Sequence, residues 1–357
     1  EQSVPERHWH QNDPGVVPNV LITGAGSPTG ITIYEGELLP EPFRNGMIHC
    51  DAGPGVVRGY PVKHAGAGYA TEMVTLLAGA RDPWFRPSDV SVAPDGSLIV
   101  ADWHDPGVGG HRMGDVERGR LVRIAPPGTP YTIPTFDSTT PEGAVAALQN
   151  PNNAVRYLAW TALHGMGAKA EPALLELYGS KNPRYRARAL WLLGAIEGRS
   201  QKYVDMATSD ADADIRITGL RLARQQKLDR AAIVKKLVRD VSPQVRREAA
   251  LTLHGDHSAA AAELWAELAE QHDGCDRWYL EALGIGAAGN WDACLSAWMA
   301  RVGDGWKTPA GRDIIWRSRA AQSLAFLVTL INDPNEATEQ VPRYFRGLDF
   351  LQKSEEE

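Results

Sequence analysis

The densest group of side chains that could perform chemistry lies in one short stretch of this 357-residue chain. Four ionisable residues stand within ten positions, with three glycines among them: Asp102, His104, Asp105 and His111. Carboxylates and imidazoles together can hold a divalent metal, and a histidine oriented by a carboxylate can act as a general base. We therefore predict that all four are catalytic and that Asp102, Asp105 and His111 bind a metal. The alternative is a connecting loop whose aspartates cap turns and whose histidines are exposed.

A second polar group contains Asp51 and Arg58, seven residues apart, with His49 beside them in sequence. If the strands around them belong to a propeller, residues at inner strand ends face its central funnel. We therefore predict that Asp51 and Arg58 bind a cofactor. The alternative is a turn carboxylate with an ordinary surface arginine.

Composition excludes several classes of protein. The formal net charge is −7, which does not favour binding to nucleic acid. No apolar run approaches the roughly 20 residues that span a bilayer. The three cysteines, Cys50, Cys275 and Cys294, form neither a CxxC nor a CxxCH motif. Cys275 and Cys294 either pair with each other or are small core residues.

The chain up to about Ala125 is rich in Gly, Pro and short apolar runs separated by turn signals, a pattern typical of an all-β fold. The predicted strands are Gly30–Tyr34, Gly46–Cys50, Val56–Val62, Glu72–Leu77, Asp89–Val92, Ser97–Ala101 and Arg120–Ile124. The segment Pro87–Asp102 predicts a hairpin around a Pro-Asp-Gly turn, with Arg120–Ile124 as its next strand. This segment resembles one blade of NHL-type and glucose/sorbosone dehydrogenase-type propellers. The strands suffice for about two blades, so the remaining blades are expected before Glu1.

After a Pro-rich linker the composition changes, and Ala, Leu, Arg and Glu predominate. Apolar residues there recur with the period of a helix. Arginines recur every 30 residues, each with a helix-capping residue four positions before it and a small residue three positions after it. The arginines are Arg156, Arg186, Arg216 and Arg246; the caps are Asn152, Asn182, Asp212 and Ser242; the small residues are Ala159, Ala189, Gly219 and Ala249. This register predicts helical hairpins that begin near the caps and pack side by side. It resembles the phycobilisome-lyase-type HEAT repeat.

An arginine in the first turn of a helix opposes the helix dipole, so each recurrent arginine requires a partner. Polar residues at the same 30-residue spacing are candidate acceptors in the loops between repeats: Asn150, Ser180, Asp210 and Asp240. We predict that the arginines are structural, and that Val155, Ala159, Leu163 and their counterparts are buried.

The stretches Gly46–Val62 and Phe85–Ile124, taken together with the helical repeats that follow them, resemble the membrane-bound dehydrogenases of planctomycete-type bacteria. That family implies a glucose/sorbosone dehydrogenase-like propeller, HEAT repeats and often a cytochrome c domain. It also implies a periplasmic or secreted protein, with pyrroloquinoline quinone and calcium in the full-length form. Haem c is implied only where a CxxCH motif follows downstream. None of the family's quinone-binding or base residues maps onto a position of this sequence.

We predict a β + α multidomain fold, in which the C-terminal part of a β-propeller precedes an α-solenoid of HEAT-like repeats. The predicted boundaries are 1–125 for the propeller, 126–141 for the linker, 142–332 for the solenoid and 333–357 for a C-terminal extension. The first functional hypothesis is a fragment of a sugar or alcohol dehydrogenase, inactive alone. The second is a non-catalytic scaffold that binds carbohydrate or a protein partner on the concave face of the solenoid.

Overall fold

A computed structural model describes residues 10, 12–24, 26–107 and 117–351 of the chain. Its first part consists of strands and one 3-10 turn at Glu41–Phe43. The strands are β1 Pro28–Ile33, β2 Met47–Asp51, β3 Val56–Tyr60, β4 Val62–Ala65, β5 Gly68–Thr71, β6 Val74–Ala78, β7 Pro87–Val92, β8 Leu98–Asp102 and β9 Arg120–Ile124.

These strands form separate antiparallel sheets. One has the order β1-β2-β3-β6 and another the order β7-β8-β9, while β4 pairs with β5. The predicted hairpin of β7 and β8 is confirmed, with Val90 opposite Val100, and β9 is its next strand. The predicted strand Val56–Val62 is wrong in one respect: it ends at Tyr60, before Pro61, and β4 begins a separate hairpin. Proline has no N–H to donate, so it interrupts a sheet.

The two larger sheets pack face to face through the first strands, because β1 and β2 both contact β7. Strand alternation sends Ile48, Cys50 and Val57 into the core, where they meet Val90 and Val100. Their sequence neighbours therefore stand on the opposite face of the first sheet. Among the described residues these strands form no closed ring of sheets.

From residue 141 onward the described chain is helical. The helices are α1 Pro141–Leu148, α2 Asn153–Met166, α3 Glu171–Tyr178, α4 Pro183–Ala195, α5 Ser200–Thr208, α6 Ala213–Gln225, α7 Arg230–Leu237, α8 Pro243–Thr252, α9 Ala259–Ala269, α10 Arg277–Gly286, α11 Trp291–Val302, α12 Pro309–Arg317, α13 Ser323–Ile331 and α14 Val341–Leu348. Short 3-10 turns occupy Gly167–Ala170 and Gly303–Lys307.

The predicted helix starts are confirmed. The side chains of Asn152, Asp212 and Ser242 each accept a backbone N–H in the first turn of α2, α6 and α8. Such a cap satisfies one of the four N–H groups that a helix start leaves without a partner. Proline occupies the first position of α4 and α8, where no N–H is needed.

The predicted core of the repeats is confirmed at the small residues, since Ala159, Ala189, Gly219 and Ala249 are all buried. Small size matters at position 219, where a Cβ atom would lie 2.9 Å from the Cβ of Ala207. The prediction is wrong for Val155 and Tyr185, which are only half-buried, although their counterparts Ile215 and Val245 are fully buried. Full burial at this position is thus reached only in the repeats that begin with α6 and α8.

Backbone contacts divide the chain into two compact units. Unit 1 comprises the residues up to Asn19, residues 65–68 and the chain from Leu193; unit 2 comprises Val20–His64 and Tyr69–Leu192. Within the part of the chain that the structure describes, no helix is both long and apolar enough to cross a membrane. Cys50 and Cys294 are buried, Cys275 is exposed and all three are free, so the predicted alternative of a Cys275–Cys294 bond is not formed.

Candidate functional site

The side chain of Asp102 lies buried at the end of β8, and both of its oxygens accept hydrogen bonds. Oδ1 accepts the backbone N–H groups of Arg86 at 2.7 Å and His104 at 2.9 Å. Oδ2 accepts two N–H groups of the Arg120 guanidinium, from Nε at 2.9 Å and from Nη2 at 2.8 Å. A carboxylate offers about four acceptor positions, so these contacts occupy Asp102 and order the loop that follows it.

His104 follows in the left-handed region, with φ at 52°, which is uncommon for a residue other than glycine. Its Nε2 lies 3.2 Å from Oδ1 of Asp82, and its ring packs on Trp84 with the ring centroids 5.7 Å apart. The hydrogen bond from Arg120 lowers the pKa of Asp82, which therefore stays ionised beside the imidazole. The carboxylate that orients His104 is thus Asp82.

Asp105 takes a local structural role. Its Oδ1 accepts the N–H of Gly107 at 2.8 Å and closes an Asx turn, while its own N–H donates to the carbonyl of Trp84. His111 lies outside the described residues. The predicted convergence of all four catalytic candidates therefore stays a prediction, and the structure brings together Asp102, His104, Asp82 and Arg120.

The described residues contain no group of three His, Cys, Asp or Glu side chains placed to hold a metal ion. Two of the three predicted ligands, Asp102 and Asp105, direct oxygens at N–H groups that a cation would have to displace. These two carboxylates as arranged do not fit a calcium ion, which prefers six to eight oxygen ligands.

The predicted cofactor residues Asp51 and Arg58 do lie together, on the face of the first sheet opposite its core. Arg58 Nη1 lies 3.4 Å from Asp51 Oδ2, and the N–H of Ser27 donates to Asp51 Oδ1 at 2.7 Å. His49 pairs with Arg58 in register, and its ring centroid is 6.1 Å from that of Tyr60. These four residues, Asp51, Arg58, His49 and Tyr60, are called the sheet cluster below.

Burial shapes the proton chemistry of the sheet cluster. It lowers the pKa of His49, so the neutral imidazole is favoured, and it raises the pKa of Tyr60. The nearby Arg58 guanidinium opposes this rise in the pKa of Tyr60. A neutral imidazole beside a buried phenol can accept a proton from a bound hydroxyl group. Tyr60 could not be identified from the sequence, because its place on the same face as His49 and Arg58 follows only from its pairing with Met47 in the strand register.

The recurrent arginines are structural, as predicted. Arg156 and Arg246 each donate from Nη1 to the carbonyls six and five positions earlier, and Arg186 donates to the carbonyl of Tyr178 at 3.2 Å. Arg216 Nε and Nη2 bind both oxygens of Asp240 at 2.7 and 2.8 Å. Among the four predicted acceptors, Asp240 thus takes a recurrent arginine through its side chain.

The predicted acceptors share a different local role. Their side chains each accept the backbone N–H two residues later, at 2.8 to 3.1 Å: Asn150, Ser180, Asp210 and Asp240. The 30-residue spacing thus reflects a repeated turn that leads into each cap. Glu35, in unit 2, is a further arginine partner that the sequence did not predict. Its carboxylate forms ion pairs with Arg184 at 2.6 Å, with Arg156 at 3.1 Å and with Arg188. Although burial opposes it, these guanidinium groups hold the pKa of Glu35 below its usual value.

Helix α2 presents an apolar surface at positions that the repeats of α6 and α8 bury. Tyr157 is 68% exposed and Leu158 is 64% exposed, whereas their counterparts Ile217 and Thr218 on α6 are 5% and 9% exposed. Trp160 adjoins them on α2 and stacks on His164 at 4.8 Å between ring centroids. We call Tyr157, Leu158 and Trp160 the α2 surface.

Two families match parts of this sequence. Residues 141–224 match the family described as HEAT repeats, which confirms the predicted repeats in the helical region. Residues 6–111 match a family described as a domain of unknown function, DUF7133, and this match covers β1 to β8 with the sheet cluster. No curated protein matches the chain.

Proposed function

We propose that this protein is a scaffold that binds an amphipathic helix of a partner protein on the α2 surface. One observation carries the proposal: the first repeat exposes Tyr157 and Leu158 at positions that the repeats of α6 and α8 bury. HEAT repeats present a series of equivalent helices, and equivalent positions are ordinarily covered by equivalent neighbouring helices. We therefore infer that the exposed position on α2 is covered by a helix of another protein.

The later repeats indicate what that neighbour would be. Helix α6 packs on α8, and α8 packs on α10, so the first helices of successive repeats lie side by side. The end of a solenoid ordinarily carries a polar outer face, which keeps the protein soluble. The α2 surface instead carries a tyrosine and a tryptophan, the kinds of side chain that anchor protein interfaces, with a leucine beside them. A partner helix with an apolar stripe would fill the place of a preceding first helix.

The chemistry of the β-rich part supports a scaffold more than an enzyme at the loop after β8. Asp102 and Asp105 are engaged with backbone N–H groups, and Asp102 also binds Arg120. A general base needs a free acceptor within reach of its substrate. We predicted a protein partner on the concave face of the solenoid, and we now propose that it binds the α2 surface.

The test compares three forms of the full chain as bait in extracts of the cells that produce it. The forms are the wild type, the double variant Tyr157→Ser, Leu158→Ser, and the control Val241→Ser, which alters a residue that is 91% exposed. A true partner is retained by the wild type and the control and lost by the double variant. The purified partner should then slow hydrogen exchange of residues 153–166. Equal capture by all three forms, or no protection of α2, would contradict the proposal.

A second candidate is the sugar or alcohol dehydrogenase, favoured by the sheet cluster. In this proposal the two packed sheets are adjacent propeller blades with β1 and β7 as their inner strands. Residues upstream would complete the ring and bind pyrroloquinoline quinone and calcium, in a periplasmic or secreted protein, and His49 would take a proton from the sugar hydroxyl.

The test of the second candidate uses the full-length protein supplied with the quinone and calcium. Sugar-dependent dye reduction by this protein, lost in His49→Gln and kept in Gln149→Ala, would support the proposal. The 357-residue chain alone is expected to show neither haem absorbance nor turnover.

A further inference from the structure

The last repeats of unit 1 hold a short turn-forming segment of the same chain. Residues 12–16, which we call the strap, include Asp13 and Pro14. Asp13 contacts Arg277 of α10 and Arg346 of α14, and Pro14 contacts Arg319 in the segment that follows α12. We propose that these arginines form a recognition site for a partner peptide in which an aspartate is followed by a turn. In this structure the strap occupies that site. The proposal concerns other helices than the α2 surface and goes beyond the proposed function.

The carboxylate of Asp13 is held by a two-pronged contact. Arg346 donates from Nε to Oδ1 at 2.7 Å and from Nη2 to Oδ2 at 2.8 Å. This parallel geometry is the strongest that a side chain offers to a carboxylate, and it selects for planar anions. The hydrogen bond from Arg346 lowers the pKa of Asp13, in spite of partial burial. Asp13 thus binds as an anion.

Two further arginines bind the main chain of the strap. Arg277 Nη2 donates to the carbonyl of Asp13 at 2.6 Å, and Arg319 Nη2 donates to the carbonyl of Pro14 at 3.0 Å. The strap itself turns here, because the N–H of Val16 donates to the carbonyl of Asp13 at 3.3 Å. Main-chain contacts do not depend on the side chains of the bound segment, so another peptide with the same turn can make them.

The site has an excess of positive charge that an acidic ligand relieves. The arginines gathered here are Arg277, Arg317, Arg319, Arg343 and Arg346. The carboxylates of unit 1 that contact them, apart from Asp13, are Glu281, Asp313 and Asp349. Burial and the nearby Arg317 lower the pKa of Arg319 to about 10. Because this value is still well above neutral pH, Arg319 remains protonated there.

Aromatic rings orient four of the arginines of this site. The guanidinium groups of Arg319 and Arg346 lie over the ring of Phe350, at 4.8 and 5.0 Å from its centroid. Arg277 and Arg343 lie over the buried ring of Trp316 at 4.6 and 4.1 Å. Such stacking lowers the entropy cost of binding, because the cations are already oriented.

The strap is suited to displacement. Only Pro14 among its residues is buried, and Asn12 and Gly15 are exposed. Its attachment therefore rests on the few contacts of Asp13 and Pro14, which a competing peptide can replace one for one. In the described state the strap competes as a tethered ligand, whose effective concentration is on the order of millimolar for a short flexible connection.

The experiment measures binding of a fluorescein-labelled peptide with the sequence of residues 10–19 to the full chain by fluorescence anisotropy. Wild type is compared with Asp13→Asn, which weakens the strap in place. The labelled peptide should bind Asp13→Asn about tenfold more tightly or better, because its competitor is impaired. Adding Arg346→Gln to Asp13→Asn should abolish that gain, whereas adding Arg301→Gln, which breaks an ion pair with Glu270, should leave it intact. A peptide with asparagine in place of its aspartate should bind neither protein.

Two outcomes would overturn the proposal: equal or absent binding of the peptide to wild type and Asp13→Asn, or equal binding of the aspartate and asparagine peptides. A second measurement needs no variant and so does not depend on the folding of one. Excess unlabelled peptide added to wild type should accelerate hydrogen exchange in residues 12–19 of the protein. Unchanged exchange at saturating peptide would show that the strap is a fixed structural element.

Discussion

Two aspartates in different parts of the molecule have nearly the same surroundings and very different sequence signals. Asp102 at the end of β8 accepts Nε and Nη2 of Arg120 together with two backbone N–H groups. Asp240, in the loop before α8, accepts Nε and Nη2 of Arg216 and the backbone N–H of Ser242. Each carboxylate fastens a turn to an arginine.

The difference lies in repetition. Asp240 recurs in type as Asn150, Ser180 and Asp210 at 30-residue intervals, and that recurrence indicates a structural role before any coordinates are known. Asp102 occurs once, in a stretch dense with His, Asp and Gly, and its composition alone suggests catalysis. A single polar cluster therefore gives no sign of whether its hydrogen bonds are already used inside the protein.

The largest test of this comparison is Asp102→Ala, which removes the acceptor of four hydrogen bonds from a buried position. Loss of one partner of a buried charged pair costs about 3 to 5 kcal/mol. Because Arg120 is partly exposed and can be solvated, we expect the lower end, about 3 kcal/mol of unfolding free energy, by urea denaturation. Asp105→Ala is the matched control and should cost about 1 kcal/mol, since its Oδ1 closes only one turn. Equal, small effects of both variants would show that Asp102 is dispensable for structure.

A smaller effect is expected from Asp240→Ala in the repeats. The variant loses the paired contact with Arg216 and the N–H of Ser242, which together should cost about 2 kcal/mol. Ser180→Ala alters the same position of another repeat, where the side chain accepts only one N–H from Asn182, and should cost at most about 1 kcal/mol. If thermal and urea unfolding rank the two variants in the opposite order, the role assigned to Asp240 is wrong.

Two helical glycines give effects of opposite sign. A Cβ at position 219 would meet Ala207 at 2.9 Å and Thr208 at 3.1 Å, so Gly219→Ala should destabilise by about 1 kcal/mol through overpacking. Beyond the adjacent residues and the backbone of its own helix, no described atom lies within 4 Å of a Cβ at position 165. Gly165→Ala should therefore stabilise by up to about 0.5 kcal/mol through helix propensity. Calorimetric melting of both variants checks the signs. Stabilisation by both would mean that the small residue of the repeat is not a packing requirement.

These cases show what the sequence could predict. Helix starts at Asn152, Asp212 and Ser242 followed from caps at fixed spacing, because capping is a local interaction. The β-hairpin at Pro87–Asp102 followed from its turn and alternation.

Partners distant in sequence could not be predicted. Asp82 beside His104, Glu35 beneath Arg156 and Asp13 against Arg346 are brought together by tertiary packing, and their own neighbours in sequence give no hint of it. The sheet cluster is intermediate, because Asp51 and Arg58 were predicted together while Tyr60 required the register of β2 and β3.

The smallest effect concerns the sheet cluster, where burial shifts the proton equilibrium of His49. Burial lowers the pKa of His49 in the folded protein, so below about pH 6.5, the ordinary histidine value, the unfolded state takes up the proton more readily. The stability that depends on neutral His49 is complete above that pH and is lost as the pH falls toward the folded value. Wild type should therefore lose stability relative to His49→Gln between pH 7.5 and pH 5, as measured by urea denaturation at each pH. A pH-independent difference, or greater acid sensitivity of the variant, would show that His49 is solvated in the folded state and would remove the basis for its role as a base.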